Sequence, residues 1–175
     1  TRNQRLSALS AFSEYAQNRD FDAASVFRSA IVKITIKRGN KKARAVFSRD
    51  EIKILLALPD ENYETGLRDK VLLAFMYATG ARAQEICDFT VDALHINDKN
   101  ASVTLIGKAT KARQVGISLS LARTVRKYII HRHIEGYPEK HVFSSQTHEQ
   151  MTVSCVEGIY KKYVAIAKEK HPNMF

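Results

Sequence analysis

The strongest constraint on the fold is a change of hydrophobic period part-way along the chain. Leu94-His95-Ile96, Ser102-Val103-Thr104-Leu105-Ile106 and Gln114-Val115-Gly116-Ile117 are short runs with β-branched residues and alternation. Such runs read as strands. Asn97-Asp98-Lys99-Asn100 between the first two is turn chemistry, and Gly107 to Arg113 joins the second to the third. Three short antiparallel strands fit this pattern. On both sides the apolar spacing is helical. Leu121, Val125, Tyr128 and Ile129 follow i, i+4, i+7, i+8, and Val153, Val156, Tyr160, Tyr163 and Ala167 define a last helix. The expected class is α+β, mainly helical, with a small three-stranded antiparallel sheet.

The remaining segments are placed by caps and breakers. Leu6, Leu9, Phe12 and Ala16 predict an amphipathic helix over residues 4 to 18. Residues 21 to 46 read as a basic linker crossing between two bodies. Within it, Asp22 to Arg28 allows a short helix, Ile31 to Ile36 reads as extended, and Arg38-Gly39-Asn40-Lys41-Lys42 as a turn or mobile loop. Ser48-Arg49-Asp50-Glu51 is a capping box, opening a helix to about Ala57 before Pro59. A further helix carries Val71, Leu72, Phe75 and Met76 and is ended or bent at Gly80; Arg82 to Asp88 is a short helix. Gly136-Tyr137-Pro138 breaks the helix after the strands, and Val142-Phe143 is a short buried piece.

Composition narrows the function classes. A chain of 175 residues can bury a core without disulfides or a structural metal. Apolar runs such as Val71-Leu72-Leu73-Ala74-Phe75-Met76 are far shorter than the roughly 20 residues of a spanning helix, so no membrane role is expected. Cys87 and Cys155 lie in helical patterns, and a reducing cytoplasm is the expected setting. Lys and Arg total 28 against 18 acids, a net charge of +10 with a pI near 9.7. The charge is segregated: Arg28 to Arg44 holds seven basic residues and no acid, and Lys99 to Ile134 holds eight and no acid. That favours a surface that tracks phosphates over a merely solubilising one. His131, His133, His141 and His148 match no metal-ligand spacing, so no metal site is expected.

Two segments carry chemistry. Thr79-Gly80-Ala81-Arg82-Ala83-Gln84-Glu85-Ile86 sets an Arg just past a Gly turn near a helix start. There the guanidinium and free backbone N–H groups can face one anion. Glu85 lies one turn on and can orient Arg82; a plain surface salt bridge is the bland alternative. Gly107-Lys108-Ala109-Thr110-Lys111-Ala112-Arg113 is a basic hairpin tip, able to enter a groove or active site, or to be a solvated turn.

In order and spacing the two segments resemble the tyrosine recombinases, the phage-type and Xer-type integrases. The family's Thr-Gly-x-Arg-x-x-Glu-Leu/Ile box follows a hydrophobic helix, here Val71 to Tyr77, and precedes a Gly-Lys-Gly-x-Lys-x-Arg hairpin. Arg68-Asp69-Lys70-Val71-Leu72-Leu73 resembles the family's Arg-Asp-x-x-Leu-Leu helix start, and Thr1 to Leu9 the last helix of its core-binding domain. Ala81 and Ala109 stand where Leu or Ile and Gly are usual.

The resemblance implies three parts: residues 1–20 ending a core-binding domain, 21–46 an interdomain linker, and 47–175 the first part of a catalytic domain. It implies a site-specific recombinase that breaks and rejoins DNA through a 3′-phosphotyrosyl intermediate, without a cofactor. Arg82 would stabilise the phosphoryl oxygens, Glu85 hold Arg82, and Lys108 protonate the leaving oxygen, with Lys111 in reserve. Lys37, Arg38, Lys41, Lys42, Arg44, Lys111 and Arg113 would bind DNA. The implied partners are duplex DNA and other protomers in a tetrameric synapse, at the nucleoid and with a leaning towards mobile-element integration. The family's His-x-x-Arg box does not occur in the chain. Starting at Thr1 and stopping at Phe175, it reads as an incomplete piece, inactive by itself. The rival readings are a non-catalytic DNA-binding module and, more weakly, an RNA-binding domain.

Overall fold

The computed structural model describes residues 1–39, 46–107 and 111–175. The chain divides into two compact units, Thr1–Val46 and Phe47–Phe175. No helix among the described residues is long and apolar enough to cross a membrane.

The first unit is a helical hairpin. α1 (Arg2–Arg19) opens on a capping box, with Thr1 and Gln4 exchanging bonds. Asp20 ends α1 in extended conformation and caps α2 (Phe21–Val32) by accepting from the Ala23 N–H at 3.0 Å. Residues 21 to 32 of the expected linker are therefore helical, and the extended reading of Ile31–Ile36 is corrected over Ile31 and Val32. Asp20 is a strong N-cap, and three turns of helix bury Ala24 and Ile31. The apolar stripe expected on α1 is largely open within this unit: Leu9 and Phe12 are exposed, while Ser13 is buried. After α2 the backbone is tied back to the start of α1. The Lys37 N–H donates to Asn3 Oδ1 at 3.1 Å, Asn3 Nδ2 donates to the Lys37 carbonyl at 2.8 Å, and Arg2 donates to the Thr35 carbonyl at 3.2 Å.

The second unit follows the caps closely. Ser48 and Glu51 form the capping box of α3 (Arg49–Ala57). α4 (Glu64–Thr79) buries Val71, Leu72, Leu73 and Phe75, and stops at Gly80, whose φ of +58° is the left-handed conformation that glycine adopts without a Cβ penalty. α5 (Ala83–Cys87) and a 3-10 turn (Val91–Ala93) lead into the sheet. β1 (Leu94–Ile96), β2 (Ala101–Ile106) and β3 (Ala112–Ile117) run antiparallel in sequence order, as such short connections require. Val103 faces both Leu94 and Val115 in register, and Ala101, Val103 and Leu105 fill the buried face. β2 and β3 begin one and two residues earlier than the sequence pattern marks, because Ala101 and Ala112 pair without being strong strand formers.

α6 (Leu119–His131) and α7 (Val153–Lys170) complete the unit. Phe75, Phe89 and Phe143 form an aromatic centre, with ring centroids 4.6 Å apart for Phe75–Phe89 and 5.8 Å for Phe75–Phe143. Val142 and Phe143 are fully buried, as their apolar run predicts. Tyr163 packs in the core, but Tyr160 stays partly exposed, edge-on to Phe47 at 6.3 Å.

Candidate active site

The site grows from the end of α4. Gly80 turns the chain, the Thr79 hydroxyl accepts from the Ala81 N–H at 3.2 Å, and Arg82 stands extended at the N-cap of α5. One turn on, the Glu85 carboxylate reaches back. Oε2 accepts from the Arg82 backbone N–H at 2.9 Å, and Oε1 from Arg82 Nη1 at 3.0 Å. Arg113, on β3, donates from Nη2 to the same Oε2 at 2.7 Å. The carboxylate is thus held from three directions by two elements.

Exposure separates the partners. The side chain of Glu85 is 2 % exposed, while those of Arg82 and Arg113 are 77 % and 44 % exposed. Burial pushes the Glu85 carboxyl up. The bond and charge of Arg113 and the backbone and side-chain bonds from Arg82 outweigh that, and the net displacement is downward. Glu85 therefore stays ionised, and two guanidiniums on one carboxylate leave a net positive charge facing solvent. A guanidinium held at its base can present its remaining N–H groups to two oxygens of one anion.

The hairpin starts beside this cluster. A Cβ at Gly107 would lie 3.3 Å from Glu85 Oε1 and 3.7 Å from Arg82 Nη1. The Gly107 N–H bonds the Lys111 carbonyl at 2.9 Å, closing the strand ends. Lys108 lies outside the described residues, as do Lys41, Lys42 and Arg44. Lys37 and Arg38 are exposed in the first unit, and Lys111 is exposed at the foot of β3.

Sequence reasoning assigned Arg113 to DNA and Glu85 to Arg82 alone. The structure joins all three, a contact 28 residues apart in sequence that no local pattern reports. It also missed a second carboxylate, Asp69, although the Arg68-Asp69 pair was visible as a motif. Asp69 Oδ1 accepts from Arg68 Nη2 at 2.7 Å, and Oδ2 accepts from the Tyr163 hydroxyl at 3.0 Å. Tyr163 is thereby a packing residue, its hydroxyl pushed up to about 12, first by burial and then by Asp69.

The phage integrase family matches residues 45–175, three quarters of the chain. The chain belongs to the phage integrase family. Among relatives of this integrase chain, tyrosine recombinase XerD of Lacticaseibacillus casei is 35 % identical over 131 residues, covering 71 % of the chain and 44 % of the relative. Tyrosine recombinase XerC of Chlamydia caviae is 27 % identical over 168 residues, covering 94 % and 51 %. The chain spans about half the length of the curated relatives it matches: 62, 51 and 44 % of three of them. Among solved structures, the XerH site-specific recombinase bound to its difH substrate in a pre-cleavage complex has a TM-score of 0.62 at 19 % identity, covering 77 % of this chain and 39 % of that one. An integrase from mycobacterium phage Brujita has a TM-score of 0.56 at 17 % identity, covering 93 % and 50 %. These two likenesses establish the integrase fold.

Proposed function

We propose that this chain is part of a site-specific tyrosine recombinase that cleaves and rejoins duplex DNA. The observation that carries the reading is the exposed Arg82 guanidinium clamped at its base by buried Glu85, beside the start of a basic hairpin. In this reading Arg82 binds the non-bridging oxygens of the scissile phosphate and stabilises the charge that builds on them. Glu85 is a positioning residue, and Arg113 holds Glu85 from the other side while offering its outer N–H groups to the same strand. A tyrosine oxygen from elsewhere in the whole protein bonds to phosphorus as the bond to the 5′-oxygen breaks. Lys108, or Lys111 in its place, gives that oxygen its proton. One phosphodiester replaces another, so neither nucleotide nor metal is consumed. Lys37, Arg38, Lys41, Lys42 and Arg44 supply backbone phosphate contacts in the first unit. Further protomers complete a tetrameric synapse, and the boundary at residue 46 separates the end of the core-binding domain with its linker from the catalytic domain.

The test is Arg82→Lys in the full-length recombinase, read by a suicide-substrate cleavage assay beside a binding titration. Cleavage should fall by about 10²–10³, with binding reduced far less because many cations share the phosphates. Near-normal cleavage would remove Arg82 from the reaction. Binding of a labelled duplex to this chain should also weaken with salt, by a slope of about −0.9 in log K per neutralised phosphate. A flat salt response would sink the electrostatic part of the reading.

A further inference from the structure

The His131-Arg132-His133 run, which the recombinase reading does not use, opens onto a polar cleft of about 450 Å³ in the second unit. The cleft lies between the first turns of α4, the end of α6 and the segment 144–146. Arg68 in its wall is eleven residues before the end of α4. At 1.5 Å per residue this cleft is about 17 Å along the helix from the Arg82 turn, so it is a separate place on the molecule.

Tyr128, only 4 % exposed, is among its lining residues. Among the described residues its hydroxyl makes no hydrogen bond, yet no fully enclosed side-chain N or O there lacks a partner. The Tyr128 hydroxyl is therefore not fully enclosed, and Tyr128 lines this cleft. Burial raises it to about 12, with the charges of Arg132 and Arg68 pulling it down and those of Asp69 and Glu64 pushing it up, so at neutral pH it is a donor among charged neighbours.

The arginines around it are fixed. Arg132 Nη1 donates to the His141 and Val142 carbonyls at 2.9 and 2.8 Å, leaving its Nε and Nη2 without a bond among the described residues. Arg68 is held by Asp69 and by the Ser144 carbonyl at 3.3 Å. Asp69 neutralises Arg68, and Glu64 is the one acid in the wall, able to accept from a hydroxyl. His133, two residues past α6, has φ +53°, a left-handed position where glycine is usual, and it lines the cleft.

We infer that this cleft binds a phosphate group, with Tyr128 and Arg132 donating to its oxygens and Arg68 adding positive charge. The volume exceeds that of a bare ion and suits a phosphate monoester carrying a hydroxylated group such as a sugar. The same phosphate chemistry is offered by a free monoester and by a DNA backbone.

The test uses this chain with ¹³C-labelled tyrosine, titrated by NMR with adenosine monophosphate at constant ionic strength. The Tyr128 ring signal should shift saturably in the millimolar range. Tyr128→Phe removes a hydroxyl with no partner among the described residues, so the melting temperature should hold while the binding midpoint, followed by the amide signals of residues 131–133, rises about tenfold. An unmoved Tyr128 signal, an unchanged midpoint in Tyr128→Phe, or tighter binding of citrate than of the monoester would overturn the assignment. A short duplex without terminal phosphates separates the sources: it shifts Tyr128 if the backbone is the ligand, and leaves it still if the site takes a free monoester.

Discussion

The two ends of α4 carry the same chemistry in opposite states. At its start, Asp69 is buried with Arg68, whose side chain is only 15 % exposed, and Tyr163 closes the carboxylate from α7. Past its end, Glu85 is equally buried, but its arginines stay open to solvent. In the first cluster Asp69, Arg68 and Tyr163 tie α4 to α7, with Lys162 outside at 3.7 Å. In the second the carboxylate orients guanidiniums that stay exposed to solvent. A buried carboxylate therefore does not define a site; the exposure of its cation does.

The largest effect expected is on folding at the closed end. Arg68→Ala leaves Asp69 buried with the Tyr163 hydroxyl and with Lys162 at 3.7 Å. Removing one partner of a buried pair should cost about 3 kcal/mol, read as a shift of the urea midpoint. A shift below a quarter of that would show that Lys162 takes over the carboxylate and that the closed cluster is less closed than its geometry.

The next effect separates the clusters by pH. The Glu85 carboxyl is displaced downward in the folded chain, so its contribution is fully present above the unfolded value of about 4.3. It is lost as pH falls through the lower folded value. Melting curves from neutral to strongly acidic pH should show an acid limb that Glu85→Gln makes shallower. An identical limb in the variant would mean that Glu85 gains nothing from its two arginines.

The smallest effect is Arg82→Ala on folding. With the Arg82 side chain 77 % exposed, its loss should cost less than about 1 kcal/mol in the same urea experiment. A cost as large as that of Arg68→Ala would erase the distinction between the two ends of the helix and make Arg82 a structural residue.

Much of this was legible in the sequence. The capping box at Ser48, the stop at Gly80 and the three strand runs are local signals, each set by a few neighbouring residues; the caps lie where their patterns put them and the strands within two residues of it. Asp20 shows the limit. It reads as the end of α1, but it also caps the next helix, and α2 continues past the β-branched Ile31 because packing on α1 outweighs weak propensity. The Arg82-x-x-Glu85 pair was visible because i, i+3 spacing is a helical contact.

Local patterns set the caps, the three strand runs and the family's two boxes, because each depends on neighbours within about one turn; they left the full length of α2 unread. Packing brings Arg113 to Glu85, sets Gly107 against that carboxylate, and joins Tyr128 with Arg68 and Arg132 in one cleft. Those contacts join residues tens of positions apart, and they exist only once the sheet and α6 have packed on α4. Exposure, which separates the closed Arg68–Asp69 pair from the open Arg82–Glu85 pair, is a property of that packing and is written in no single segment.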